Sequence, residues 1–367
     1  DHCFVEPSGQ PEAGARPDSP ADSHSDAELG SNENGPTGKS QSENSAGHQR
    51  EVNGPSDQIL GRQWDDGVRR TGVTLQLYSI HSSRSVGAGD FHDLLDLGLQ
   101  LAEDGYEVLG LSPLHALFLN RPELRSPYYP STRKQLHPFY IGPALLPEWR
   151  SVSDGERLLK EAAFIPEDLR IDYGLSMKKK LELLEKAHHA FQTTGDPEVL
   201  HRKDQMQSYI RRNPELRDHA MFELLLEIDV NGSEEERVWK AGKTDAEIRQ
   251  RYAGRLGFYE YLFWAARDQF DTVCRLLAEK GLRLYTDVAV GVATDGADHR
   301  SIPELYAKKA RAGAPPDLFA PTGQDWGIGV WNPLVLKRKA FRPFRDLLRA
   351  NMIRDGFVRL DHVMWLF

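Results

Sequence analysis

Apolar residues in this chain fall into two alternating textures, a helical stripe and a short dense run, usually parted by a glycine. Gly72-Val-Thr-Leu-Gln-Leu-Tyr78 is a β-rich run. After a Ser/Gly loop, Asp90 stands where it can cap a helix from Phe91 to about Asp104, with Leu94, Leu97 and Leu101 on one stripe. Gly105 closes that helix, and Tyr106-Glu-Val-Leu-Gly-Leu111 follows as a buried strand. The phrase recurs from Phe258 to Lys280, then Gly281 and Leu282-Arg-Leu-Tyr-Thr-Asp287. It recurs again from Phe341 to Asp355, then Gly356 and Phe357-Val-Arg-Leu-Asp361. A glycine after the last helical turn permits the left-handed C′ conformation, so each phrase predicts a helix-to-strand turn. Helices alternating with short apolar strands imply parallel βαβ units. Both a (β/α)8 barrel and a doubly wound sheet fit that alternation.

The stretch between the second and third strands is too long for a simple crossover. Leu181, Leu184, His188 and Phe191 share one helix face, and Phe222, Leu224, Leu225 and Ile228 suggest another. We expect a helical inserted subdomain over about 143–255, on the loop side of the sheet, where it would suit a cover over a cleft. Residues 1–62 are rich in Ser, Gly, Pro, Asn, Asp and Glu, with Phe4 as the one aromatic. Such a stretch buries too little apolar surface to offset its ordering entropy, so a disordered tail or linker is expected over 1–62, followed by a folded region over 63–367.

Composition narrows the chemistry. The net charge of −9 argues against a nucleic-acid surface, and no run approaches the roughly 18 apolar residues of a membrane span. The chain starts at Asp1 without a basic-then-apolar leader, and its 2 cysteines form no disulfide framework or zinc motif, so a cytoplasmic setting is expected. None of the 13 histidines falls in a recognised metal-ligand spacing, and no metal is expected. Gly87-Ala-Gly89-Asp90 lacks the third glycine of a dinucleotide loop and places an acid where phosphate would sit. That favours a turn and cap over a cofactor site.

Polar residues gather instead at strand ends. Asp287 closes the third strand, Asp361-His362 the fourth, and Ser112-Pro-Leu-His115 follows the second. In α/β barrels the C-terminal strand ends carry reacting groups. Arg359 and Asp361 alternate so as to face one side, and a neighbouring guanidinium lowers a carboxyl pKa. Spacing alone leaves two readings open, a glycoside-type carboxylate site and a structural ion pair closing a strand.

Taken in order, several phrases resemble the amylomaltase family, also called disproportionating enzyme or 4-alpha-glucanotransferase, glycoside hydrolase family 77. They are Gly87-Ala-Gly-Asp-Phe91, Leu111-Ser-Pro-Leu-His-Ala116, Ser126-Pro-Tyr-Tyr-Pro-Ser-Thr-Arg133 and Asp287-Val-Ala-Val-Gly-Val-Ala293. Gly313-Ala-Pro-Pro-Asp317, Gly323-Gln-Asp-Trp-Gly327 and Val358-Arg-Leu-Asp-His362 complete the series. Each is short, but their collinear order is distinctive. The resemblance implies a (β/α)8 TIM-type barrel with helical insertions, of which about the first four strands are expected here. It implies no cofactor and a maltooligosaccharide or glucan substrate whose α-1,4-linked segments are transferred with retention. By the same resemblance, Asp361 matches the nucleophile and Arg359 the residue that keeps it ionised. His362 and Asp287 match residues that hydrogen-bond the sugar at the cleavage subsite, and Tyr128 an aromatic packed on it. Asp317 belongs to a loop over the cleft, and Trp326 lines the glucan path. On their own residue types, Tyr128 and Trp326 also suit simple packing, and His362 a structural histidine.

A retaining mechanism needs a second carboxyl about 5 Å from the nucleophile. The resemblance implies an acid/base glutamate on a fifth strand and a stabilising aspartate on a seventh. The sequence ends at Phe367, soon after the fourth strand, so the expectation is an incomplete site without transferase activity by itself. Two other readings stand beside the transferase, a non-catalytic glucan-binding half barrel and a hydrolase of the α-amylase group. The oligomeric state is not legible. Leu109, Leu284 and Leu360 are expected to face the barrel interior.

Overall fold

A computed structural model describes residues 68–167 and 170–362, so the expectation for residues 1–62 lies outside the described residues. Among the described residues there are seven strands and eleven α-helices; the strands fall in chain order as β1 (Gly72–Leu75), β2 (Val108–Leu111), β3 (Arg283–Val288), β4 (Val292–Ala293), β5 (Tyr306–Ala314), β6 (Gln324–Trp331) and β7 (Phe357–Leu360). The first, second, third and seventh form a four-stranded parallel sheet in the order β1-β2-β3-β7. The others form a three-stranded antiparallel sheet, β4-β6-β5. The architecture is therefore α/β with a parallel sheet. The antiparallel unit was not expected: β5 carries Lys308, Lys309 and Arg311 on exposed positions and shifts register twice, so it shows no apolar alternation.

The helices complete the frame: α1 (Phe91–Glu103), α2 (Gly155–Ala162), α3 (Tyr173–Thr193), α4 (Pro197–Arg212), α5 (Pro214–Asn231), α6 (Glu234–Ala241), α7 (Asp245–Arg251), α8 (Ala253–Glu279), α9 (Ala297–Ser301), α10 (Pro333–Arg338) and α11 (Arg342–Asn351). Asp90 caps α1 as expected, accepting from the His92 and Asp93 amides while Asp93 returns a bond to the Asp90 amide. Gly105 and Gly281 take the left-handed conformation, φ +85° and +89°, and turn α1 and α8 into β2 and β3. The third phrase differs. There α11 ends at Asn351 and Asp355 holds the positive φ of +60°. Gly356 is small for another reason, since a Cβ on it would lie 2.6 Å from the Leu284 carbonyl oxygen.

Strand pairing in register sorts the side chains into two faces. Leu109 pairs with Leu284 and both are buried among Phe91, Leu94, Phe270, Val273 and Leu277 of α1 and α8. Val358 and Leu360 pack likewise against the cluster of Leu336 and Leu347 from α10 and α11. Leu109, Leu284 and Leu360 thus face the helices, not an interior as expected; the helix layer needs the apolar face, and the opposite face is left to polar residues.

The helices of the insertion pack on α8 and against the segments that follow β2 and β3, with Glu223 of α5 accepting the Leu119 amide. Helices α3, α4 and α5 carry apolar faces (Leu184, Phe191, Ile210, Leu216 and Leu224 among them) that share one core with α8. No described residue from Gly155 to Arg251 lines the cleft formed at the sheet's polar face. The cause is α8, which is apolar nearly all round and so must be covered on both sides. A buried ion pair fixes α3 to α1, with Lys180 Nζ 2.7 Å from Asp90 Oδ2 and donating also to the Ile141 carbonyl.

Lys180→Met should therefore cost about 3–5 kcal/mol, because it strands the Asp90 carboxylate in the interior. Adding Asp90→Asn should recover much of that loss. Urea unfolding of the two variants measures both numbers, and equal stability of the single and double variants would contradict the account.

Candidate functional site

The polar face of the sheet opens as a cleft of about 730 Å³ lined by residues of β1, β2, β3 and β7 and by Tyr128. Its floor is built by alternation. On β3, Tyr285 and Asp287 point to this side; on β1 Thr74 does, and on β7 Arg359. Thr74 Oγ1 and the Tyr285 hydroxyl lie 2.7 Å apart, bridging over Gly110 of β2. A Cβ at Gly110 would meet the Tyr285 ring at 2.2 Å, so only glycine leaves room for it.

Parallel register places Asp287 opposite Arg359. The guanidinium donates through Nη1 to Asp287 Oδ2 at 2.5 Å, and its Nη2 lies 3.2 Å from Asp361 Oδ1. One cation thus bridges two carboxyls. Asp361 Oδ1 also accepts the His362 amide at 3.0 Å, and the His362 ring Nδ1 stands 3.4 Å away. His362 adopts φ +46°, a left-handed conformation costly for a non-glycine residue. That turn sets its ring edge-on to Trp326, centroids 5.1 Å apart at 88°.

The two carboxyls titrate in opposite directions. Burial raises Asp287 above the usual carboxylate range, Arg359 opposing and Asp361 adding to it. Burial works the same way on Asp361, yet the His362 amide and the Arg359 and His362 charges outweigh it and hold this carboxyl low. Asp287 Oδ1 is buried without a hydrogen-bond partner, while Oδ2 is spent on Arg359. Tyr128 is half-exposed on the cleft wall, its hydroxyl raised by burial and by the Asp287 and Asp361 charges, with Arg359 opposing.

The structure thus brings Tyr128, Asp287, Arg359, Asp361, His362 and Trp326 into one neighbourhood. It does not bring Asp317 there. That residue sits at the tip of the β5–β6 hairpin, where its Oδ1 accepts the Phe319 and Ala320 amides at 2.8 and 2.6 Å, beside fully exposed Leu318 and Phe319. His115, noted for its place after β2, is structural: its Nε2 accepts the Ala289 amide at 3.2 Å, and burial together with Arg133 lowers it to about 3. Tyr285 and Thr74 were missed as cleft residues, although counting back by two from Asp287 would have found Tyr285; Ser112, noted for its place after β2, does line the cleft. No group of three or more His, Cys, Asp or Glu able to hold a metal occurs among the described residues.

The fold agrees with what comparison shows. Residues 75–367 match the family described as 4-alpha-glucanotransferase, glycoside hydrolase family 77, and the chain belongs to that family. It is 34% identical over 318 residues to a 4-alpha-glucanotransferase of Haemophilus influenzae, covering 81% of this chain and 45% of the relative. It is 30% identical over 332 residues to one from Mycobacterium tuberculosis, covering 86% and 44%. The chain therefore spans less than half the length of these relatives. Among solved structures, amylomaltase from Corynebacterium glutamicum superposes with a TM-score of 0.67 at 29% identity, over 81% of this chain and 41% of that one. Amylomaltase from Streptococcus agalactiae, solved in complex with acarbose, gives 0.65 at 20% identity over 80% and 59%, a likeness of fold.

Removing the bridging cation should shift both acids one way. In Arg359→Met the carboxyl midpoints of Asp361 and Asp287 should both rise, since each loses an attraction that favours its charged form. Carbon-detected NMR titration of the side chains reads this directly, and an unmoved Asp361 would assign its low value to the His362 amide alone.

Proposed function

We infer that the protein carrying this chain is a 4-alpha-glucanotransferase that moves α-1,4-glucan segments between maltooligosaccharides by a retaining double displacement. In this reading the parallel sheet is the first four strands of a (β/α)8 barrel, and the helices around α3 to α7 are its inserted subdomain. The observation that carries the reading is the Arg359 bridge, with Asp361 held ionised beside an Asp287 that keeps one oxygen unpaired at the cleft.

Each residue type suits its step. Asp361 attacks the anomeric carbon, and its low pKa keeps it a carboxylate at neutral pH. Arg359 orients it and offsets its charge. Asp287 Oδ1 accepts a sugar hydroxyl, as a buried acceptor without a protein partner does most readily. His362 offers its ring to the same sugar, and Tyr128 and Trp326 supply faces on which glucose rings pack while water is excluded. Exclusion matters because a sugar hydroxyl, not water, must resolve the glycosyl intermediate. Asp317 belongs to the hairpin tip and would reach substrate only with that hairpin folded toward the cleft. The acid/base role falls to a glutamate of the fifth barrel strand, as the resemblance implies. No helix among the described residues is long and apolar enough to cross a membrane, and a cytoplasmic site of maltodextrin or glycogen metabolism completes the reading.

Given maltotriose, the protein should release glucose and longer maltodextrins with little net gain of reducing ends. A gain in step with bond cleavage would make it a hydrolase. Asp361→Asn should lower turnover by about three orders of magnitude or more with the melting curve retained, because shape is kept and the attacking charge is lost. Activity within about tenfold of the unmodified protein would return Asp361 to a structural ion pair.

A further inference from the structure

Arg133 ends the Ser126–Arg133 segment and takes no part in the chemistry above, yet it is among the largest fully buried side chains in the molecule. Its Nη1 donates to the carbonyls of Ala289 and Val290 at 3.0 and 2.9 Å, the turn that directly follows Asp287 and β3. Its guanidinium also interacts electrostatically with the Tyr306 hydroxyl of β5 and lies 4.8 Å from the Trp331 ring centroid of β6. Through its main chain it reaches two more elements. The Arg133 amide donates to Asp298 Oδ2 of α9 at 3.0 Å, and its carbonyl accepts from Asn351 Nδ2, at the end of α11, at 2.9 Å.

These contacts join the segments that deliver the site. Tyr128 lies five positions before Arg133, Asp287 two positions before Ala289, and Trp326 five before Trp331 on the same strand. Asn351 leads into β7 with Arg359 and Asp361. A buried cation tolerates little movement of its partners, since a lost bond leaves charge unsolvated in the interior. A planar guanidinium also fixes the angles between its partners, as an ammonium does not.

We propose that Arg133 is a positioning residue that locks the antiparallel sheet, with Trp326, to the strand end that carries Asp287, and so sets the width of the cleft. Its effect on glucan transfer rests on the function inferred above; the mechanical linkage does not. Its side chain acts through the Ala289–Val290 turn and the Tyr306 and Trp331 side chains, touching no reacting group. Lysine at this position would keep the charge but lacks the planar fork that here meets both carbonyls while its face is turned to Trp331.

The test compares the complete polypeptide carrying these residues with its Arg133→Lys and Tyr306→Phe variants. In Arg133→Lys, amide hydrogen exchange should quicken together in residues 287–293 and 324–331, with β1 and α8 unchanged. With maltotriose, kcat should fall about tenfold to a hundredfold per folded molecule, the scale expected when reacting groups are misplaced by an ångström or so. KM should move by less than about threefold, because binding groups remain. Tyr306→Phe removes only the hydroxyl, which faces Arg133 and Trp331, and should quicken exchange in 306–331 alone, with a smaller loss of kcat. Unchanged exchange, exchange quickened throughout the chain, or normal kcat per folded molecule would each overturn the proposal. If the unmodified protein leaves maltotriose unconverted, the functional reading fails, and the exchange pattern still decides whether Arg133 is the lock.

Discussion

The parallel, in-register pairing of β3 with β7 is the constraint on which the rest of the site depends. It sets Asp287 directly opposite Arg359, and the two-residue pleat then brings Asp361 to the same face one step further on. A slip of one residue would send Arg359 into the apolar layer where Leu360 now packs against α10 and α11, and would expose Leu360 at the cleft. Burial of an unpaired guanidinium costs far more than the roughly 1.5–3 kcal/mol gained by burying a leucine. Register and charge placement therefore enforce one another.

Within that frame a single cation gives two carboxyls different characters. Arg359 contacts both, so its charge alone cannot separate them. What separates them is solvent and backbone. Asp287 is almost fully buried on β3 and pays for desolvation, whereas Asp361 lies past the end of β7, partly in solvent, with the His362 amide aimed at it. Each unit of pKa difference corresponds to about 1.4 kcal/mol of preference between protonation states. The left-handed turn at His362 follows from the same need, since it directs both the amide and the ring toward Asp361. Backbone strain there is offset by the contacts it makes possible with Asp361 and Trp326.

Much of this was legible in the sequence where local rules and tertiary demands agree. Asp90 as a cap, glycine after α1 and α8, and the carboxylates at the ends of β3 and β7 each follow from spacing and residue type. Legibility failed where a nonlocal demand decided. The third glycine, Gly356, is required by the Leu284 carbonyl of a neighbouring strand, which no local pattern reveals. The β4-β6-β5 sheet escaped because β5 is charged, exposed and bulged, so its pairing partner, not its own alternation, makes it a strand. The facing of Leu109, Leu284 and Leu360 was misjudged because an apolar residue on a parallel strand suits either side. Only the position of α1, α8, α10 and α11 distinguishes them. Arg133 could be read as a motif residue, but not as a buried one, since arginine is rarely found inside.

The same distribution of contacts implies unequal firmness around the cleft. Its floor, from Thr74 to Tyr285 and Asp287, is backed by the large core that α1, α8 and the inserted helices share. Its other boundary, near Trp326, belongs to the three-stranded sheet, whose Val292, Tyr306 and Trp331 share a smaller core with Val288 of β3, with α10 and α11, and with the apolar face of β7. Beyond that small core the hairpin runs out to Asp317, Leu318 and Phe319, held by bonds within its own turn. Segments with few buried apolar contacts open at low free energy, whereas a strand buried on a large core opens only with the whole domain. On the function proposed above, a chain of glucose units would enter and leave along this cleft while the carboxylates stay in place. The polypeptide meets both demands by seating Asp287 and Tyr285 on the firm side and Trp326 toward the yielding one. In the proposal made above, Arg133 keeps the yielding side from drifting by joining the Ala289 and Val290 carbonyls, just past Asp287, to Tyr306 and Trp331 of the antiparallel sheet.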